Sequence, residues 1–194
     1  MRRVAKRAAK GFSLIELVMA LAVAVILLAV GLPMFLRAYH VYQLNNAARQ
    51  MADILRLARY EAIRLNTPVY CAVRSDGANP PNTTVWVDSS NYGVLDPTEK
   101  MILLGPAGNL VSVPGTTPPI SGQIGTNSIV TPSPSSSSVQ FDARGAVKPP
   151  TTVNVFFLSS AAAPEAGYRA VVLMPAGSIE IWAGDAAGNW QQSR

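Results

Sequence analysis

Glu16 is where the chemistry of this sequence starts, because it stands as the one charged group in an apolar run. From Phe12 to Leu36 the only polar side chains are Ser13 and Glu16. A carboxylate at mid-helix in hydrocarbon costs about 2.5–3.5 kcal/mol on insertion scales, and somewhat less near an edge. An intramembrane carboxylate therefore reads as functional, and it wants a positive partner. Cleavage after Gly11 would create one, the new α-amino group of Phe12. The remaining inventory points away from catalysis. The single histidine, His40, falls beside the membrane end of the helix, so a His-based triad further along the chain has no base. One histidine and one cysteine cannot build a His/Cys metal cluster either. No catalytic residue, metal or cofactor is expected. Cys71 has no second cysteine to pair with and reads as a small buried apolar residue on a strand. Asp142 and Arg144, next to Gly145, read as a turn that follows a strand.

Five of the sixteen Lys and Arg residues lie in the first ten positions (Arg2, Arg3, Lys6, Arg7, Lys10). Residues 12–194 carry eleven basic and eleven acidic side chains, so the formal charge of +5 belongs to residues 1–11 alone. Basic residues flanking an apolar span stay cytoplasmic, which makes 1–11 a cytoplasmic leader and removes the nucleic-acid reading of the whole-chain charge. Residues 12–36 would reach roughly 37 Å as a helix at ~1.5 Å per residue, enough to cross a hydrocarbon core of ~30 Å. Proline removes a helical hydrogen bond and crowds the preceding turn, so a kink or local melting, a helix break, is expected at Pro33. Residues 37–66 continue as an amphipathic helix. Leu44, Ala48, Met51, Leu55, Ala58, Ala62 and Leu65 form its apolar stripe, while Arg49, Arg56, Arg59 and Arg64 read as a solvated or subunit-facing row. Asn66-Thr67-Pro68 ends it.

From residue 67 to 194 the pattern changes to short strands between turns. Strands are expected at Val69–Val73, Thr84–Val87, Met101–Leu104, Val139–Phe141, Val153–Leu158, Tyr168–Leu173 and Ser178–Trp182. Met174-Pro175-Ala176-Gly177 reads as the turn of a closing hairpin. Trp182 and Trp190 read as packing residues. Residues 114–138, rich in Pro, Gly, Ser and Thr, read as a mobile surface loop. The fold class is α+β: a long N-terminal helix, transmembrane then amphipathic, packed on a C-terminal antiparallel sheet domain.

A secretory signal peptide, cut after Ala29-Val30-Gly31, or a plain signal anchor would also explain a basic start and an apolar run. Neither explains Glu16. Lys10-Gly11-Phe12-Ser13-Leu14-Ile15-Glu16-Leu17 resembles the prepilin leader motif of type IV pilins and type II secretion pseudopilins. The resemblance implies cleavage between Gly11 and Phe12 by a prepilin peptidase and N-methylation of Phe12. It also implies a pairing of Glu16 with the N-terminal amine of a neighbouring subunit during assembly, and Pro33 matches the family's helix-disrupting proline. The implied location is the inner membrane, single-pass, with a periplasmic β-rich domain.

A longer resemblance narrows the group. Leu55 to Val69, reading LRLARYEAIRLNTPV, is similar to the helix end of the GspH/FimT minor pilins. Val139-Gln140-Phe141-Asp142-Ala143-Arg144-Gly145 is similar to that group's F-x-x-x-G strand and turn, and Tyr168–Leu173 with Pro175–Ile181 to its closing hairpin. The resemblance implies a structural minor pilin of a type IV pilus that helps filament assembly. A minor pseudopilin of a type II secretion system is the alternative, and a DNA-binding pilin of natural transformation is a second. The DNA-uptake subgroup carries Gly-Arg-x-Arg where this chain reads Gly177-Ser178-Ile179-Glu180. Residues 67–194 hold six basic and eight acidic side chains, a formal charge of −2. Phosphate neutralisation dominates DNA affinity, so DNA binding is expected to be weak. Under the DNA-binding alternative, Arg144, Lys148 and Arg169 are the expected contacts, and tight binding lost when one of them is changed would favour it.

Overall fold

In the computed structural model, residues 13–77, 82–90, 93–105, 108–111, 128–185 and 189–193 are described. One helix, α1, runs without interruption over Leu14–Leu65, with Pro33 inside it. The helix does not melt at Pro33. A proline deletes one N–H from the ladder, and apolar helices hold together across that single loss. The C-terminal stop follows from Asn66, whose φ of 51° is the left-handed conformation that asparagine tolerates better than most residues. Asn66 N–H donates to Ile63 O and Thr67 N–H to Ala62 O, each at 3.3 Å. This is the paired-bond cap that satisfies the last helical carbonyls, and Pro68 bars any return to helix.

The chain divides after Ala38 into two compact units. In the first, every described side chain from Ser13 to Ala38 is exposed. All but Ser13 belong to the helix Leu14–Leu65, the one among the described residues that is long and apolar enough to cross a membrane.

The second unit joins the rest of α1 to two sheets. The first sheet has the order β3-β2-β1-β6-β7, where β1 is Val69–Ser75, β2 Thr83–Asp88, β3 Met101–Leu104, β6 Ser136–Phe141 and β7 Val147–Lys148. The second has the order β11-β10-β9-β8-β4 with β5 paired to β8. Its strands are β4 Asn109–Val111, β5 Ser128–Val130, β8 Thr152–Ser159, β9 Tyr168–Leu173, β10 Ile179–Gly184 and β11 Trp190–Ser193. All pairings are antiparallel except β5 with β8, which is parallel.

Register decides which side chains meet the helix, because alternate residues of a strand face opposite sides. Cys71, Val73, Val85, Val87, Val139 and Phe141 of the first sheet share one buried cluster with Leu44, Ala48, Met51, Leu55, Ala58 and Ala62 of α1. Phe156, Leu158, Val171 and Leu173 bring the second sheet into the same core. From Leu44 to Ala62 the stripe read from the sequence is thus the buried face of the helix, while Leu65, its last member, is exposed. The alternate residues Val153, Val155, Phe157, Ala170 and Val172 form a second cluster, against which Trp182 and Trp190 pack. The Trp190 ring lies 5.7 Å from that of Phe157. Cys71 is buried, and burial pushes its thiol up to about 12, so it is an inert core residue.

The expected mobile loop 114–138 is corrected at its C-terminal end. Ser128–Val130 is β5, and the serines from Ser136 onward open β6, paired to Arg74, Val73 and Ala72 of β1. Composition argues against ordering a Ser-rich segment, but a central strand next door supplies the hydrogen bonds that composition cannot show. Residues 114–127 lie outside the described residues. The strands β4, β7 and β11 were likewise not expected from the pattern.

Candidate functional site

Glu16 sits in the first turn of α1, where Leu17 N–H donates to Ser13 O at 3.2 Å. A carboxylate there is favoured by the exposed N–H groups of the helix start. It is exposed among exposed Leu14, Ile15, Leu17 and Val18. Leu21, Val25, Ile26, Leu28, Leu32 and Phe35 extend the same uncovered apolar surface. Such a surface is far beyond the scattered apolar residues normal for water-facing helices and marks contact with lipid or with other helices. Gly11 and Phe12, with the rest of the leader, lie outside the described residues.

The second constellation lies at the end of α1 and joins three motif segments that are distant in sequence. Arg59, expected on a solvated row, is instead half-buried, and its Nη1 donates to Gly177 O at 3.0 Å. Its Nε is buried with no partner. Gly177 closes the β9–β10 turn, with its N–H donating to Met174 O at 2.8 Å. Gly145 closes the β6–β7 turn, with its N–H donating to Asp142 O at 2.8 Å. Val147 N–H reaches across to Pro175 O at 2.8 Å and ties the two turns together. Both glycines have left-handed φ, 78° at Gly145 and 80° at Gly177.

Neither glycine has room for a side chain. A Cβ on Gly177 would overlap the Gly145 carbonyl oxygen and lie 2.8 Å from Arg59 Nε. A Cβ on Gly145 would meet Ile63 Cδ1 at 2.8 Å and Arg59 Cγ at 3.0 Å. The arginine stem therefore fills the space that two bare turns leave open. Asp142 organises its own turn, since Oδ1 accepts the Ala146 and Arg144 amides at 2.9 Å each. The Ala146 amide foremost, with Arg144, holds this carboxyl below the usual carboxylate range.

The remaining arginines of the helix behave as expected of a solvated row. Arg56 pairs with Asp53 at 2.7 Å and Arg64 with Glu61 at 2.6 Å. Such exposed pairs contribute about 0.3–0.5 kcal/mol each. Arg169 is a correction. It is buried, with Nε donating to Asn45 Oδ1 at 2.6 Å and Nη1 to Tyr168 O at 2.8 Å. It anchors β9 to α1 and cannot meet a phosphate, which leaves exposed Arg144 and Lys148 of the three expected DNA contacts. No group of three His, Cys, Asp or Glu residues suited to a metal occurs among the described residues.

A family model described as "Type II transport protein GspH" matches residues 47–177. A second, described as "Prokaryotic N-terminal methylation motif", matches residues 6–32. Two crystal structures of the Pseudomonas aeruginosa (strain PAO1) type IV minor pilin FimU are similar to the chain. The one in space group P21 has 16% identity and a TM-score of 0.46, covering 78% of this chain and 95% of that one. The one in space group P65 has 16% identity and a TM-score of 0.47, covering 77% and 98%. No curated protein matches the chain.

Proposed function

Because the chain belongs to the pilin-like GspH family and carries the prokaryotic N-terminal methylation motif, we propose that it is a minor pilin of a type IV pilus. It is made as an inner-membrane precursor with residues 1–11 in the cytoplasm, and prepilin peptidase cuts between Gly11 and Phe12 and methylates Phe12. The mature chain crosses the membrane once, through residues 12–36, and holds the unit that follows in the periplasm. Its partners are the peptidase, the membrane and the other pilins of the filament.

The observation that carries this reading is Glu16 on an uncovered apolar helix. A carboxylate in that setting lowers the cost of its burial by pairing with an amine, and the amine freed at Phe12 of a neighbouring subunit has the right charge and depth. The pairing fixes the axial register of one apolar helix against the next, which apolar contacts alone do not do. The chain acts structurally, as a subunit that helps start or extend the filament, and DNA binding is weak.

The pilus branch is favoured by the helix end Ala58-Arg59-Tyr60-Glu61-Ala62-Ile63, followed by Asn66-Thr67-Pro68-Val69. The second reading, an H-type minor pseudopilin of a type II secretion system, is favoured by the description of the matching family. Removing the gene separates them. The pilus reading expects loss of surface filaments and twitching while secreted enzymes still cross the outer membrane. Normal filaments with secreted enzymes trapped in the periplasm would establish the pseudopilin instead.

A further inference from the structure

β3 forms one edge of the first sheet, and no described strand pairs with its outer side. Val87 N–H donates to Lys100 O at 2.9 Å, and Ile102 and Leu104 stand opposite Val85 and Thr83. Hydrogen-bonded pairs alternate along an antiparallel ladder, so Lys100, Ile102 and Leu104 turn their backbone groups toward β2. Met101 and Leu103 therefore aim N–H and C=O outward. Their side chains are 56% and 60% exposed.

Open edges are normally protected by charge, proline, a bulge or extreme shortness. β3 reads Met-Ile-Leu-Leu and has no charge or proline. Of the other edges, β11 is Trp-Gln-Gln-Ser, with three exposed polar residues, β7 is two residues long and followed by Pro149-Pro150, and β4 and β5, which pair with opposite ends of β8, are only three residues each. The ends of β3 adjoin α1: Lys100 shares a cleft with Glu61 and Leu65, and Leu104 shares one with Tyr42 and Asn46.

We infer that β3 is a strand-addition site that pairs, through Met101 and Leu103, with an extended edge strand of a different subunit of the same filament. The inference rests on the filament reading above. Backbone donors and acceptors that no described strand pairs, beside apolar side chains, match an extended strand and no other occupant as well. A four-residue strand cannot supply the roughly 1,200 Å² that a free-standing complex needs. The occupant must already be held nearby, as a neighbour anchored in the same membrane is, at an effective concentration on the order of millimolar. Pairing β3 with β3 of a second copy is an isologous contact, whereas filament neighbours meet head to tail through two different surfaces. The occupant is thus a different edge on a different subunit.

The test uses the full chain in filament-forming cells and measures the ratio of filament-associated to membrane-associated protein. Leu103→Pro deletes an outward donor that no described strand uses, a change edge strands tolerate. It should lower the ratio at least tenfold, while Leu103→Thr, which keeps the donor, should stay within twofold of wild type. If Leu103→Pro is lost from the membrane, Met101→Pro deletes the other outward donor and is judged by the same criteria. Two normal ratios beside a failing Glu16→Ala overturn the edge pairing and leave the filament reading standing. Normal ratios for all three, Glu16→Ala included, overturn both. Equal loss in the Pro and Thr variants overturns strand addition, because the side chain and not the backbone then makes the contact. Because Cys71 is buried, Leu103→Cys introduces a single reactive thiol. A disulfide-linked pair of such chains identifies a second copy as occupant and overturns pairing with a different subunit.

Discussion

Gly177→Ala is expected to destabilise the second unit by about 3 kcal/mol or more, and Gly145→Ala by clearly less. Both replacements pay the same backbone penalty of about 1–2 kcal/mol for holding a Cβ in the left-handed region. The difference lies in what the new methyl group meets. At Gly177 it overlaps a backbone oxygen, Gly145 O, in a turn already fixed by the Val147–Pro175 hydrogen bond. Relief requires moving one turn away from the other, which breaks the Arg59 hydrogen bond and exposes the end of the helix–sheet core. At Gly145 the obstacles are the tip of Ile63 and the stem of Arg59, both able to rotate aside. A loss of 3 kcal/mol corresponds to roughly 6–12 °C in Tm for a domain of this size. Thermal unfolding of the full chain in detergent measures it. Equal shifts for the two variants would show that the clash with the Gly145 carbonyl oxygen is relieved without moving the turns.

Glu16→Ala is expected to enter the membrane and be cleaved at least as well as the wild type, yet to reach filaments at less than a tenth of the wild-type level. Insertion improves because a charge costing about 2.5–3.5 kcal/mol at mid-helix is gone. Assembly suffers because the amine of the neighbouring Phe12 is left without its carboxylate, and a buried unpaired charge costs more than the intact pair. Glu16→Gln separates charge from shape. It keeps the side-chain volume and should fail nearly as badly as alanine. Immunoblots of membrane and filament fractions give both quantities from one culture. Wild-type incorporation of either variant would remove the pairing from the account.

Much of this could be read from the residues. The buried stripe Leu44 to Ala62, the end of the helix at Asn66 and seven of the strands follow from periodicity and turn residues, because these elements carry their own apolar pattern. The strands that escaped notice are short or polar. Ser136 to Ser138 extend because β1 offers them partners, and β5 pairs in parallel with β8 from inside a segment whose composition suggests no order. Pairing between distant segments overrides local preference, and no local pattern records it.

The same limit governed the candidate site. Glu16 is legible because a charge in an apolar run is an anomaly in one dimension. Arg59 is not, since a helical arginine among Arg56 and Arg64 looks solvated until its partner, 118 residues away, is known. One signal was available: Arg59 follows Ala58 and precedes Ala62, both fully buried, so its stem leaves the helix beside the core-facing stripe. Two glycines in left-handed turns, each after a strand, then supply the space. Arg169 escaped for the opposite reason, because a strand arginine read as a phosphate contact lies under the helix against Asn45.

The central claim is that the apolar helix belongs to a processed, assembling subunit and is not a discarded signal or an uncut anchor. The mass of the N-terminal peptide of the mature protein tests it most directly. The expected peptide begins at Phe12 and carries one extra methyl group on its α-amine. A mature chain beginning at Leu32, or one still carrying Met1 to Gly11 in cells with an active prepilin peptidase, would contradict it.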